Sequence, residues 1–220
     1  MTDNQNKTNK ITSTKLLRWS GLAAILAGSI YAGIQPIHPP DFLPSVTTTA
    51  WAIIMPFKVL MCLLFMLGIT GIYASQIEET GSLGLSGYLI LGLSWALQTA
   101  FIFTEAFILP VLATPSPEYV ESLLGIVNGF QGKMNIGALP ALYGLVGVTY
   151  LLGNLLFGIA TFRARVLPRW TGGLLAIAAV LTPAAALLPH AIQRYAAIPV
   201  GIAIIGMGIS LFFSRQKDIS

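Results

Sequence analysis

Lys58 and Glu105 are the only charged side chains set deep inside six long apolar stretches of this 220-residue chain. Lys58 lies seven residues after Trp51, and Glu105 lies seven residues before Leu112, the end of its own stretch. At a helical rise of about 1.5 Å per residue, each sits about 10 Å below the same membrane face. An isolated charge costs about 3 kcal/mol at the centre of a bilayer and less toward its edge. Two opposite charges at one depth, on consecutive antiparallel helices, therefore predict an intramembrane ion pair. The alternative has Lys58 reaching outward along its aliphatic stem and Glu105 bonded to Thr99, Thr104 or a tyrosine. A pair of this kind suits either proton or ion coupling or a static clamp, and both readings stay open. Gln98, on the Glu105 side of its stretch, and Asn154 are expected to bond across helices.

A second group of polar residues gathers toward the same face. The segment from Pro36 to Asp41 (Pro-Ile-His-Pro-Pro-Asp) is stiff, because proline fixes its own φ and restricts the residue before it. It presents His38 and Asp41, and His190 follows in a later loop. With Glu105 these would form a two-histidine, carboxylate set of the type that holds zinc or iron, and two histidines could also ligate haem. There is no His-x-x-x-His or Cys-x-x-Cys spacing. The plainer expectation is that each histidine caps a helix in the headgroup zone, with no metal and no cofactor. The single cysteine, Cys62, cannot form an internal disulfide. Gly-x-Ser-x-Gly, His-Glu-x-x-His and Walker motifs are absent, so no catalytic residue is assigned.

The elements that must carry these residues follow from composition. Charged residues make up 9% of the chain and hydrophobic ones 55%, against about 25% charged in soluble domains. So few charges cannot cover a water-facing surface, so lipid must. About 20 apolar residues span the hydrocarbon core as a helix, and in lipid only helices or closed barrels satisfy the backbone. The expected spans are 16–36, 51–74, 84–112, 136–162, 170–189 and 194–213. This is an all-α polytopic bundle over 15–220, preceded by a disordered polar tail over 1–14. Pro183 is expected to kink or end the fifth span. The first span is expected to remain as an anchor, since Ile30 stands where a signal-peptidase site needs a small residue.

Placing the N-terminus in the cytoplasm puts Lys7, Lys10, Lys15, Arg18, Arg163, Arg165, Arg169, Arg215 and Lys217 inside and only Lys133 and Arg194 outside. That bias predicts that both termini are cytoplasmic. It also accounts for the net charge of +4 through anionic lipid, with no nucleic-acid partner. Trp19, Trp51 and Trp170 are expected in the headgroup belt, and Trp95 at a helix contact.

Between the third and fourth spans, Ser116-Pro117-Glu118 has the form of a helix start with Ser116 as N-cap. Val120, Leu123, Leu124 and Val127 then recur at helical spacing, predicting a short amphipathic helix on the outer surface, more as a lipid anchor than as a lid. Gly144, Gly147, Gly153, Gly158, Gly201, Gly206 and Gly208 are expected at close helix contacts. Arg18-Trp19-Ser20-Gly21 before His38 parallels Arg169-Trp170-Thr171-Gly172 before His190, the pattern a duplicated two-helix unit would leave.

The phrases from Ile34 to Asp41, Glu105 to Thr114, Gly137 to Tyr143 and Pro168 to Gly173 resemble an uncharacterised family of bacterial six-span membrane proteins. The resemblance implies six helices and a bacterial plasma membrane, and brings no activity, cofactor or catalytic residue. The leading expectation is a non-enzymatic membrane protein: a structural, regulatory or partner subunit in contact with lipid, with a membrane-protein partner or a second copy of itself. The alternatives are a small permease using Glu105 and Lys58, or a metal- or haem-binding enzyme using His38 and His190.

Overall fold

A computed structural model describes residues 12–185 and 193–214, and every element in them is helical. Helix α1 (Ser13–Ile34) begins at Thr12, whose hydroxyl accepts from the Lys15 amide. Helix α2 (Thr49–Ala74) begins in the same way at Thr48, capped onto Trp51. These side-chain oxygens satisfy amides that the first helical turn leaves open. Helix α3 runs over Ile77–Leu112. Its first turn is set off by Gly81, whose φ of 54° and ψ of −147° are open to glycine and costly for other residues. Then come α4 (Pro117–Asn128), α5 (Leu139–Ala164), α6 (Arg169–Ala185) and α7 (Ile198–Phe213), the last preceded by a 3-10 turn, Arg194–Ala197.

Five helices are long and apolar enough to cross a membrane: α1, α2, α3, α5, and α7 with its leading turn. Helix α6 is apolar, but its 17 described residues span only about 25 Å, short of the roughly 30 Å hydrocarbon core. The rest of the expected 170–189 stretch lies outside the described residues, as do His190 and most of the 1–14 tail. Helix α3 starts earlier than the expected 84, because Glu78, Glu79 and Thr80 join it as a polar first turn.

The long helices form a closed ring. Each packs on the next in the order α1, α2, α3, α5, α6, α7, and α7 returns onto α1. The ring closes on small residues. An added Cβ at Gly28 would stand 2.5 Å from the Gly201 carbonyl, and one at Gly201 would stand 2.8 Å from that of Gly28. Gly21 and Gly208 repeat this reciprocal fit about two turns away. Such backbone-to-backbone approach is how helices gain contact where lipid supplies no hydrophobic drive. Gly153 lies against Leu91 and Gly158 against Ala176, as expected. Gly144 and Gly147 do not follow: an added Cβ at either meets nothing within 4 Å. They face a gap rather than a helix, because α5 meets α6 through Gly158 and Gly172, toward its other end.

The interior of the ring is aromatic at mid-height. Phe65 and Trp95 stack at 3.9 Å, and Tyr31 stands edge-on to both. Trp95 is thus a helix-contact residue, while Trp19 and Trp170 are largely exposed.

Helix α4 corrects two expectations. The Ser116 hydroxyl makes no capping bond; its carbonyl accepts instead from Tyr119 and Val120. The apolar face of α4 does not lie on lipid. Val120, Leu123 and Leu124 are buried against Val46, Trp51, Met55, Ala106 and Leu109, at the Trp51 end of α2 and the Leu109 end of α3.

Candidate functional site

Glu105 owes its setting to a local change of helical register. Residues Thr104–Ile108 form a π-turn, in which the Leu109 amide bonds to the Thr104 carbonyl rather than to that of Glu105. In the same register the Glu105 carbonyl would take the amide of residue 110, which is proline and has none. The orphaned carbonyl is claimed by Trp51, whose indole N–H donates to it at 2.9 Å from a fully buried ring. Trp51 is therefore an interior strut of the site, not a headgroup anchor. Single π-turns of this kind recur at functional positions.

The Glu105 side chain is 5% exposed. Its Oε2 stands 3.5 Å from Lys58 Nζ and has no hydrogen bond among the described residues. The neighbouring hydroxyls are committed elsewhere: Thr104 donates to the Ala100 carbonyl and Thr99 to that of Trp95. The arrangement is an ion pair without hydrogen-bond geometry, leaving one buried carboxylate oxygen open.

Lys58 also reaches His38, with Nζ 2.9 Å from Nε2. His38 Nδ1 is 2.7 Å from the Pro39 carbonyl. A carbonyl only accepts, so Nδ1 carries the hydrogen, and a neutral ring then offers the Nε2 lone pair to the lysine. Burial, with the Lys58 charge next, pushes His38 from 6.5 down to about 3, overcoming the opposing pull of the Pro39 carbonyl; the Arg194 charge acts in the same direction as Lys58. The proline-rich loop thus delivers a neutral imidazole to the α2 lysine.

Arg194, at the head of the turn before α7, ties this loop down. It donates to the His38 carbonyl at 3.0 Å and stands 3.8 Å from Asp41 Oδ2. The Asp41 carbonyl in turn accepts from Asn128 on α4 at 2.7 Å. Sequence reasoning counted Arg194 only as an outer-face charge. The signal that could have marked it is its position just before the first apolar turn of α7, where a guanidinium can fold back over the bundle end.

These residues line a cavity of about 380 Å³ together with Gln98, Tyr143 and Tyr31. The Tyr31 hydroxyl is itself paired with that of Tyr150 at 2.8 Å. Lys58, Glu105, His38 and Asp41 share this cavity; His190 lies outside the described residues. Among the described residues Gln98 makes no bond across helices, and Asn154 bonds only to the Tyr150 carbonyl of its own helix. Among the described residues no group of three or more His, Cys, Asp or Glu side chains is placed to hold a metal.

Fold and site together define the class: an all-helical protein with five membrane-length helices, carrying a charged cavity at one end of its bundle. No protein-family model, curated protein or solved structure matches the chain.

Proposed function

We propose that this chain is a six-span protein of a bacterial plasma membrane, with both termini in the cytoplasm, and that it acts as a small charge-coupled permease through Lys58 and Glu105. The basic residues at the α1 start and at the α5–α6 turn favour that orientation, and α6 is the sixth span. Membership of the uncharacterised six-span family belongs to the same proposal. The open Glu105 oxygen carries the functional reading. It is buried on a cavity wall, at a π-turn, opposite a lysine 3.5 Å away. Buried polar atoms without partners are rare and call for a reason, and intramembrane ionisable groups commonly serve ion or proton pathways.

Lys58 can hold either Glu105 or the neutral His38, so a change of charge on the glutamate would shift the lysine and, through His38, the Arg194-bound loop. The partner-subunit reading drew on a scarcity of polar groups inside the bundle, and the lined cavity leaves it with less support.

The test needs no known substrate. Purified protein in vesicles, adsorbed on a solid-supported membrane, receives an acidic pH jump. A transient current is expected from the unaltered chain and is expected to vanish in Glu105→Gln and in Lys58→Met/Glu105→Gln. Equal currents in all three proteins would remove charge coupling through this pair.

A further inference from the structure

The charged cavity is not closed on its α5 side. A second cavity, of about 480 Å³, continues from it and shares Tyr31, Gln98, Tyr143, Val146 and Thr182. The second one runs along the face of α5 that carries Gly144 and Gly147, the two glycines with open space where a Cβ would stand. That face continues into Val148, which is 54% exposed on the side that lipid would cover. The two cavities meet along the five shared residues, one charged and polar and the other apolar, and together outline a passage.

The seam between them has its own chemistry. Gln98 and Tyr143 line both cavities, and neither the amide nor the phenol makes a hydrogen bond among the described residues; the Tyr143 ring is held edge-on by Phe101. Both residues are half-buried, so their polar atoms stay accessible at the junction, where another molecule's polar atoms can sit. The charges beyond them pair with one another, Lys58 with Glu105 and Arg194 with Asp41. The passage thus offers neutral hydrogen bonding rather than net charge. Ligand sites commonly combine apolar walls with a few convergent polar groups of this kind.

We propose that the Gly144–Gly147 notch is a lateral doorway, and that the ligand of the outer cavity is an uncharged amphiphile drawn from the surrounding lipid. Its hydrogen-bonding head lies between Gln98 and Tyr143, and its hydrocarbon chain lies along the notch. This rests on the reading of the outer cavity as a ligand site and names the class of molecule it takes.

The experiment uses the full chain in vesicles of phosphatidylethanolamine and phosphatidylglycerol, with a diazirine-bearing hexadecanol as probe. After irradiation, labelled positions are mapped by mass spectrometry. Labels are expected on the notch face of α5 and around Gln98, and excess unlabelled hexadecanol should displace them. Gly147→Leu puts a side chain into the notch from a position where a Cβ meets nothing within 4 Å, so the fold should persist while labelling at these positions falls by about ten-fold, the equivalent of about 1.4 kcal/mol. Gln98→Leu and Tyr143→Phe, which preserve shape and remove the hydrogen bonds, should each lower it by a smaller factor. Labels spread evenly over all lipid-facing helices and unmoved by Gly147→Leu would overturn the doorway. The pH-jump current separates the two ideas. Current without notch labelling keeps charge coupling and discards the amphiphile; notch labelling without a Glu105-dependent current does the reverse.

Discussion

Helix α5 uses glycine in opposite ways at its two ends. At Gly158 an added Cβ would stand 2.6 Å from the Ala176 amide nitrogen and 2.8 Å from the Gly172 carbonyl; at Gly147 it would meet nothing. The first glycine draws two backbones together, and the second leaves a gap that opens into the charged cavity. The end of the bundle bearing Gly158 is otherwise built as a seam: Gly71 sits against Ser20, Gly21 against the α7 backbone, and Gln76 donates to Thr161 at 2.8 Å in full burial. The other end holds the proline-rich loop, both ion pairs and the passage. Along α5, the Gly158 end is closed by backbone contact while the Gly147 end faces open space beside the charged cavity, so the two ends should respond differently to the same kind of substitution.

The largest effect should come from splitting the charge pair that holds the open end. Lys58→Met leaves Glu105 buried without its partner, a change that commonly costs about 3–5 kcal/mol. Lys58→Met/Glu105→Met removes both charges and should recover most of that loss. Reversible unfolding in mixed micelles, followed by tryptophan fluorescence, gives the comparison. Equal destabilisation in the single and double variants would mean that the pair is not what holds this end.

Gly158→Val should cost about 1–3 kcal/mol by overpacking, whereas Gly147→Val should leave stability within about 0.5 kcal/mol, the range of substitutions away from such features. Thermal unfolding of the two variants side by side decides it. Similar midpoints would erase the contrast between seam and notch.

A further effect is set by pH. His38 in the fold lies below its ordinary 6.5, at about 3, so the neutral ring is the form the structure favours. Its contribution is complete above 6.5 and erodes as pH falls below that value toward about 3. The unaltered chain should lose stability over that window, and His38→Gln should lose less. Parallel pH scans of the unfolding midpoint check the sign; a steeper decline in His38→Gln would contradict a buried neutral imidazole.

Much of the helical layout was legible because run length and charge placement are local properties of the chain. The site was legible in part. Lys58 and Glu105 stand out because charges inside apolar runs are rare, and equal depth follows from counting residues. Trp51 was misread as a headgroup anchor, since its role depends on a register change in α3 that orphans one carbonyl. Pro110, five residues beyond Glu105, was the available clue. Ser116, Gly144 and Gly147 were misread because residue type and spacing do not say which neighbour arrives, or whether one arrives at all.

By itself the chain determined the all-helical class, the positions of the five membrane-length helices among the described residues and the shared level of its two buried charges, because hydrophobicity and rise per residue need no partner. Only the tertiary structure decided that His38 meets Lys58, that Arg194 ties down the proline loop, that α4 packs on protein, and that a cavity lies along the Gly144–Gly147 face of α5. The Arg194 contact depends on the ring closing α7 onto α1, which brings together residues far apart in sequence. The side chains that fill or fail to fill that ring are set by the fit of whole helices.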